Sequence, residues 1–552
     1  MTDRTIRLFT VGTLLLLGQI LLAAAPIEKN RDKDSDTTKI KNSYTKLFEN
    51  KKVESLSGLI TLHNIEGKLY LEVPLHKLEE PFLFSSQVEN VSVLTLSYVG
   101  QRPAPPIQIL FSKTDSLALI RAPYPPTIVE KGSPHITQAV EESSAPPIIY
   151  STPIVAHTID SSAIIFDATP FFISDSKYIG KLSSSSAGGF IQKVSNFKKE
   201  LSLVKKIEAY PNSVSITSDM SYNFTTYFLG MESGGGEPLT VELKSTIGAL
   251  PKEPYTPRKA DYRIGVQVTP FQELSAHTQG STTKHFAKRW RMEPSELEKH
   301  HKGDAVKPKK PIIFYVDTLF PQSWSEAIKK GVLKWNSPFE KIGFKDAIEV
   351  YDYPSKSVDS LFDAANIAYN CIRYAQIASR NIVHQINSDP RSGEIIGASI
   401  LFFRDSPITL QRERILQTAL AEPQVRSYKL PDNLMAQSIE LEMTRQMGFC
   451  LGLTTNMAAT SWIPSDSLLS PTFTQKEGIT SSVMDQIKYN YFAREEDITK
   501  GVALTAGSLG AYDYYAIDWL YSYYPAHIDP QPLLKEKIEE KSGNRKYLYG
   551  KE

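Results

Sequence analysis

Apolar and polar residues alternate in short runs through the first half of the chain, and recur at helical spacing from about residue 320 onward. Between Gly58 and Tyr98 the alternation predicts short strands. Within it, Asn64-Ile65-Glu66-Gly67 separates two β-rich runs as a hairpin turn. IQILFS (107–112) and LALIRAPY (117–124) predict further strands between Pro-rich breaks, and the stretches 158–178 and 213–246 keep the same character. SSSSAGG (183–189) and Gly234–Gly236 read as loops. Later, IIFYVD (312–317) predicts a strand. Trp324, Ala327, Ile328, Val332 and Trp335 then line one face of a helix, with Ser323 as its candidate cap. IIGASILFF (395–403) predicts a strand, and helical patterns follow at about 408–421 and 434–451.

This succession predicts an α+β protein: a β-rich N-terminal region, then a domain with a mixed sheet and one long helix. The 552 residues are enough for several cores. The expected division is a signal peptide (1–25), a charged flexible leader (26–50), a β-rich region (51–285) readable as two subdomains, a second domain (286–530) and a charged tail (531–552). The signal reading rests on Arg4 and Arg7 ahead of an apolar run ending in Ala23-Ala24-Ala25. It implies export to the periplasm or beyond, with no other membrane segment. Lys and Arg (62) nearly balance Asp and Glu (61), which argues against a nucleic-acid partner. Cys371 and Cys450 belong to no metal-binding spacing, and sequence leaves open whether they pair.

The informative segment is IELEMTRQMGFCLGLTTNMAAT (439–460). Zinc proteases of one large class carry H-E-x-x-H-x-x-G-x-x-H. Two histidines one helical turn apart bind the metal, a glutamate acts as base, and a glycine turns the chain towards a third histidine. With Gly452 as that glycine, the ligand positions hold Arg445, Phe449 and Thr455, and the base position holds Gln446. Ile439, Met443, Met447 and Cys450 form an apolar stripe, with Arg445 and Phe449 roughly opposite.

Several stretches, in order, resemble the secreted bacterial zinc-dependent metzincin proteases that join a β-rich N-terminal region of unknown function to a C-terminal metzincin domain. These are ADYRIGVQVTPF (260–271), RWRMEP (289–294), WSEAIKKGVLKWNSPFEKIGF (324–344), SDPRSGEIIGASI (388–400), SSVMDQIKYNYFAREED (481–497) and GAYDYYAIDWLY (510–521). The resemblance implies that Met484 is the methionine packed beneath the zinc site. It also implies zinc as the family's cofactor, and a peptide or protein as ligand.

Guanidinium, phenyl and hydroxyl groups make no zinc site, and an amide cannot act as a general base. The expectation is therefore a member without metal or cofactor, binding peptide or protein without hydrolysis. The alternatives are an active metallopeptidase with non-standard ligands and a structural secreted protein with a collapsed cleft. Oligomeric state is not legible. Glu442 stands three residues before Arg445, where an ion pair is the ordinary expectation; Asp485 is a second candidate acid for Arg445. His300, His301 and His384 read as surface or satisfied core histidines.

Overall fold

The computed structural model describes residues 43–551 apart from 94–96, 124–126, 130–133, 181–184, 188–190, 275–280, 376–380 and 428. The expected signal peptide, most of the leader and most of the 183–189 loop lie outside the described residues. The architecture is α+β.

The alternating N-terminal half forms one 13-stranded sheet running from Val53–Ser57 to the long hairpin of Ser213–Phe228 and Met231–Ala249. Gly234–Gly236, expected in a loop, lies inside the second arm of that hairpin, where the register shifts between Phe224 and Tyr227 absorb it. One hydrophobic core belongs to this sheet, from Leu59 to Ile247; a separate one runs from Ile264 to Ile538. The second core thus takes in residues ahead of 286, the expected start of the second domain.

The second core sits on a six-stranded mixed sheet. Ile312–Val316 pairs in parallel with Ile348–Asp352 and with Asn370–Ala375, and the latter pairs in parallel with Glu394–Phe403. Ile382–Ser388 runs antiparallel beside Glu394–Phe403 and is the edge strand. Buried Asp389 holds the turn between them, accepting from the Arg391 amide at 2.9 Å and pairing with its guanidinium.

The helical pattern after Pro321 breaks in two, Gln322–Leu333 and Asn336–Lys341, and the first has Pro321 rather than Ser323 at its cap. Trp335 sits at the break with its indole N–H donating to Thr444 O at 2.8 Å, which turns the chain under the long helix Asp432–Cys450, the site helix. The charged stretch 531–552 is a packed element rather than a tail. In the helix Gln531–Lys541, Leu534 and Ile538 enter the second core one turn apart, and Asn456 Nδ2 donates to Leu548 O at 3.0 Å.

The two regions touch. Lys244 on the large sheet is 2% exposed and lies 2.6 Å from Glu208 and 2.5 Å from Asp363, across to the second domain. Arg102 donates to Ile386 O of the edge strand at 3.2 Å, and Tyr98 packs edge-on against Phe403. Among the described residues no helix is long and apolar enough to cross a membrane. Cys371 and Cys450 are both buried and free.

Candidate functional site

The site helix is buried on most sides, so its stripe of Ile439, Met443, Met447 and Cys450 is one part of a larger enclosed surface. Its last carbonyls lack the next helical turn, and side-chain donors reach them. Gln267 Nε2 serves Phe449 O at 2.8 Å, the Trp290 indole serves Cys450 O at 2.9 Å, and the Tyr521 hydroxyl serves Leu451 O at 2.8 Å. The chain then turns at Gly452, whose φ is +89°. A Cβ there would overlap the Lys288 carbonyl oxygen. Both facts demand glycine. Gly452→Ala is expected to cost about 2 kcal/mol or more, from the left-handed conformation and the overlap together. Thermal unfolding of the variant against the parent checks this.

After the turn, Leu453–Asn456 is clamped from two sides. Thr454 N donates to Gly265 O at 2.9 Å, and Asn456 N donates to Met484 O at 3.1 Å. This returns Thr455 to the helix, where its Oγ1 lies 3.5 Å from Arg445 Nη2. Arg445 Cζ lies 5.1 Å from the centre of the Phe449 ring. Of the three positions read as emptied ligands, Arg445 therefore neighbours both others.

Met484 is fully buried against the site helix at Gly448. Gly448 admits it: a Cβ at that position would overlap the Met484 sulfur and the Trp335 ring. The methionine turn is fastened by Asp513, which accepts from Ser482 Oγ at 2.6 Å, Val483 N at 2.9 Å and Gly510 N at 2.8 Å. Burial raises the Asp513 carboxyl to about 6, against these three donors.

Gln446 is not idle. Its Oε1 faces His384 Nδ1 at 3.0 Å, and its Nε2 donates to Glu442 Oε1 at 2.7 Å. Lys488 Nζ lies 2.7 Å from Glu442 Oε2, an ion-pair contact rather than an aligned hydrogen bond, and 2.6 Å from Glu413. The local expectation of a Glu442–Arg445 pair fails because Lys488, brought in by the chain after the methionine turn, takes Glu442 first. Asp485 does not serve Arg445 either; it accepts from Thr480 Oγ1 at 3.2 Å and Ile487 N at 3.3 Å. Burial disfavours ionised Glu442, but the Lys488 and Arg445 charges and the Gln446 amide outweigh it and hold the carboxyl below its usual value.

His384, expected apart from the site, belongs to it. From the edge strand its ring stacks on Phe449 at 4.3 Å between centroids and 11° between planes. His300 does fit the satisfied reading, with Nε2 3.3 Å from Ile342 O. His384, Glu413 and Lys488 escaped sequence reasoning because none lies within the motif; the antiparallel register of the edge strand places the first. Burial pushes the His384 imidazole down from its ordinary value, helped by the Arg445 charge and opposed by Gln446 and Glu442. The folded state thus prefers neutral His384. That stability is full above about pH 6.5, the unfolded value, and declines as pH falls below it. His384→Phe, which keeps a ring on Phe449, is expected to flatten unfolding temperature against pH in that window.

A zinc ion needs about three N, S or carboxylate ligands, and Arg445, Phe449 and Thr455 supply none. Among the described residues no three His, Cys, Asp or Glu side chains are grouped to hold a metal ion. Beside Arg445 and Gln446 a depression of about 180 Å³ opens towards the helix Ser406–Thr418; Phe449 and Thr455 do not line it.

Three families match parts of the chain. Residues 427–552 match the family described as Met-zincin. Residues 41–91 and 104–295 match two domains of unknown function, DUF5118 and DUF5117 respectively. No curated protein and no solved structure shows significant similarity to the chain.

Proposed function

We propose that this metzincin-type domain is a zinc-free pseudopeptidase, exported and placed to bind peptide or protein without cleaving it. The observation that carries the reading is that Arg445 lies beside both Phe449 and Thr455 where the helix ends and the chain turns back, with Met484 packed on the same helix at Gly448. The scaffold of a metal site is kept while its donor atoms are replaced by groups that cannot ligate. Gln446, in the position of the base, is spent on His384 and Glu442. A carboxamide is not basic enough to take a proton from an attacking water. The depression beside Arg445 supports retained binding over a filled cleft. Export rests on the N-terminal apolar run alone.

The test is incubation of the full chain with a mixture of unstructured peptides, with added zinc and separately with chelator, read by mass spectrometry. No new peptide termini are expected in either arm. Cleavage that chelator abolishes would establish the alternative, a peptidase with non-standard ligands.

A further inference from the structure

We infer that Arg445 and the depression beside it form a subsite for a carboxylate carried by a peptide. The inference rests on the zinc-free reading above, since it assigns to a guanidinium the place of the metal.

Arg445 is a cation short of partners. Its one hydrogen bond among the described residues is the 3.5 Å contact to Thr455 Oγ1. Its Nε is buried and has no acceptor. Phe449 offers it a ring face, which attracts a cation without satisfying its N–H groups. No carboxylate of the described residues lies within ion-pair distance, because Glu442 is held by Lys488 and Gln446. A guanidinium with several free donors in a partly enclosed place is matched by a carboxylate, which can accept two of them side by side.

The charges around the depression agree. Its walls include Arg445, Lys488, Glu442 and Glu413. Formally these cancel, and the pairing is uneven: Lys488 lies 2.6 Å from Glu413 and 2.7 Å from Glu442, so both carboxylates are taken by one cation. Arg445 is thus the one charge of the wall without an ion-pair partner among the described residues. Asn381, Thr409 and Ser406 complete the rim with polar groups. About 180 Å³ holds a carboxylate and a few carbons, not a folded partner.

Two sources offer this chemistry, an acidic side chain and a free C-terminus. Four short peptides separate them: acetyl-trialanine as acid and as amide, and acetyl-Ala-Glu-Ala-amide beside its Gln counterpart. Binding to the full chain is followed by ligand-observed NMR. At least one acid is expected to bind roughly tenfold or more tightly than its neutral partner, and Arg445→Gln is expected to erase that difference. The arm that responds identifies the source. Equal binding of acids and amides, no binding of any peptide, or a preference that survives Arg445→Gln would each overturn the proposal. The wild-type comparison stands even if the variant does not fold. Zinc measured in the same preparation separates the two claims: stoichiometric zinc overturns the pseudopeptidase reading, whereas a zinc-free chain without acid preference overturns the subsite alone.

Discussion

Lys488→Met is expected to destabilise the second domain by about 3–5 kcal/mol at neutral pH, because it leaves the buried Glu442 carboxylate without its counter-ion. The cost arises from the charge left behind rather than from the pair itself. Glu442→Gln/Lys488→Met removes both charges and is expected to recover most of the loss, a coupling that a double-mutant cycle measures. The pH dependence gives a further check. In the parent chain the folded Glu442 value is depressed, so its contribution is present above about pH 4.5 and is lost as pH falls through the folded value. In Lys488→Met, burial acts on Glu442 without the Lys488 charge, so the deficit against the parent is expected to shrink as pH is lowered. Calorimetric unfolding of the four proteins at about pH 7 and pH 5 reads both effects. A loss that the double variant does not relieve would mean that Lys488 matters for packing instead.

The second large effect is a gain. Arg445→His/Phe449→His/Thr455→His is expected to bind one zinc ion per chain tightly enough to survive desalting, at roughly micromolar Kd or below. Arg445 already neighbours the other two positions: it reaches Thr455 across 3.5 Å and lies over the Phe449 ring. Met484 is already packed against the same helix at Gly448 and the turn at Gly452 is in place, so the substitutions change donor atoms and not the path of the chain. Metal content after dialysis against zinc, and a rise in unfolding temperature with zinc, are the readouts. A folded triple variant that takes up no zinc would show that these positions do not point at a common centre.

These expectations draw on different amounts of sequence. The site helix and its turn were readable because a motif with fixed spacing has one register once Gly452 is placed. In the structure Arg445 lies beside Phe449 and Thr455, and Gln446 beside His384 and Glu442. Strand alternation likewise exposed the hairpin at Asn64–Gly67, whose turn residues Glu66 and Gly67 have φ of +53° and +85°. What sequence hid was set by distant partners. Lys488 beats the local Arg445 to Glu442 through a tertiary approach that no helical spacing rule contains. His384 arrives on an edge strand far along the chain from Phe449. The pairing order of the large sheet depends on non-local contacts, which alternation alone does not rank. In the last helix, the charges of residues 531–541 concealed Leu534 and Ile538, two apolar residues one turn apart and enough to dock it.

Elemental analysis of the unmodified chain, purified without chelator and with zinc available, reads directly whether Arg445, Phe449 and Thr455 leave the metal site empty. The predicted result is zinc far below one ion per chain, unchanged by later chelation. About one zinc per chain, removed by chelator together with stability or peptide cleavage, would contradict it.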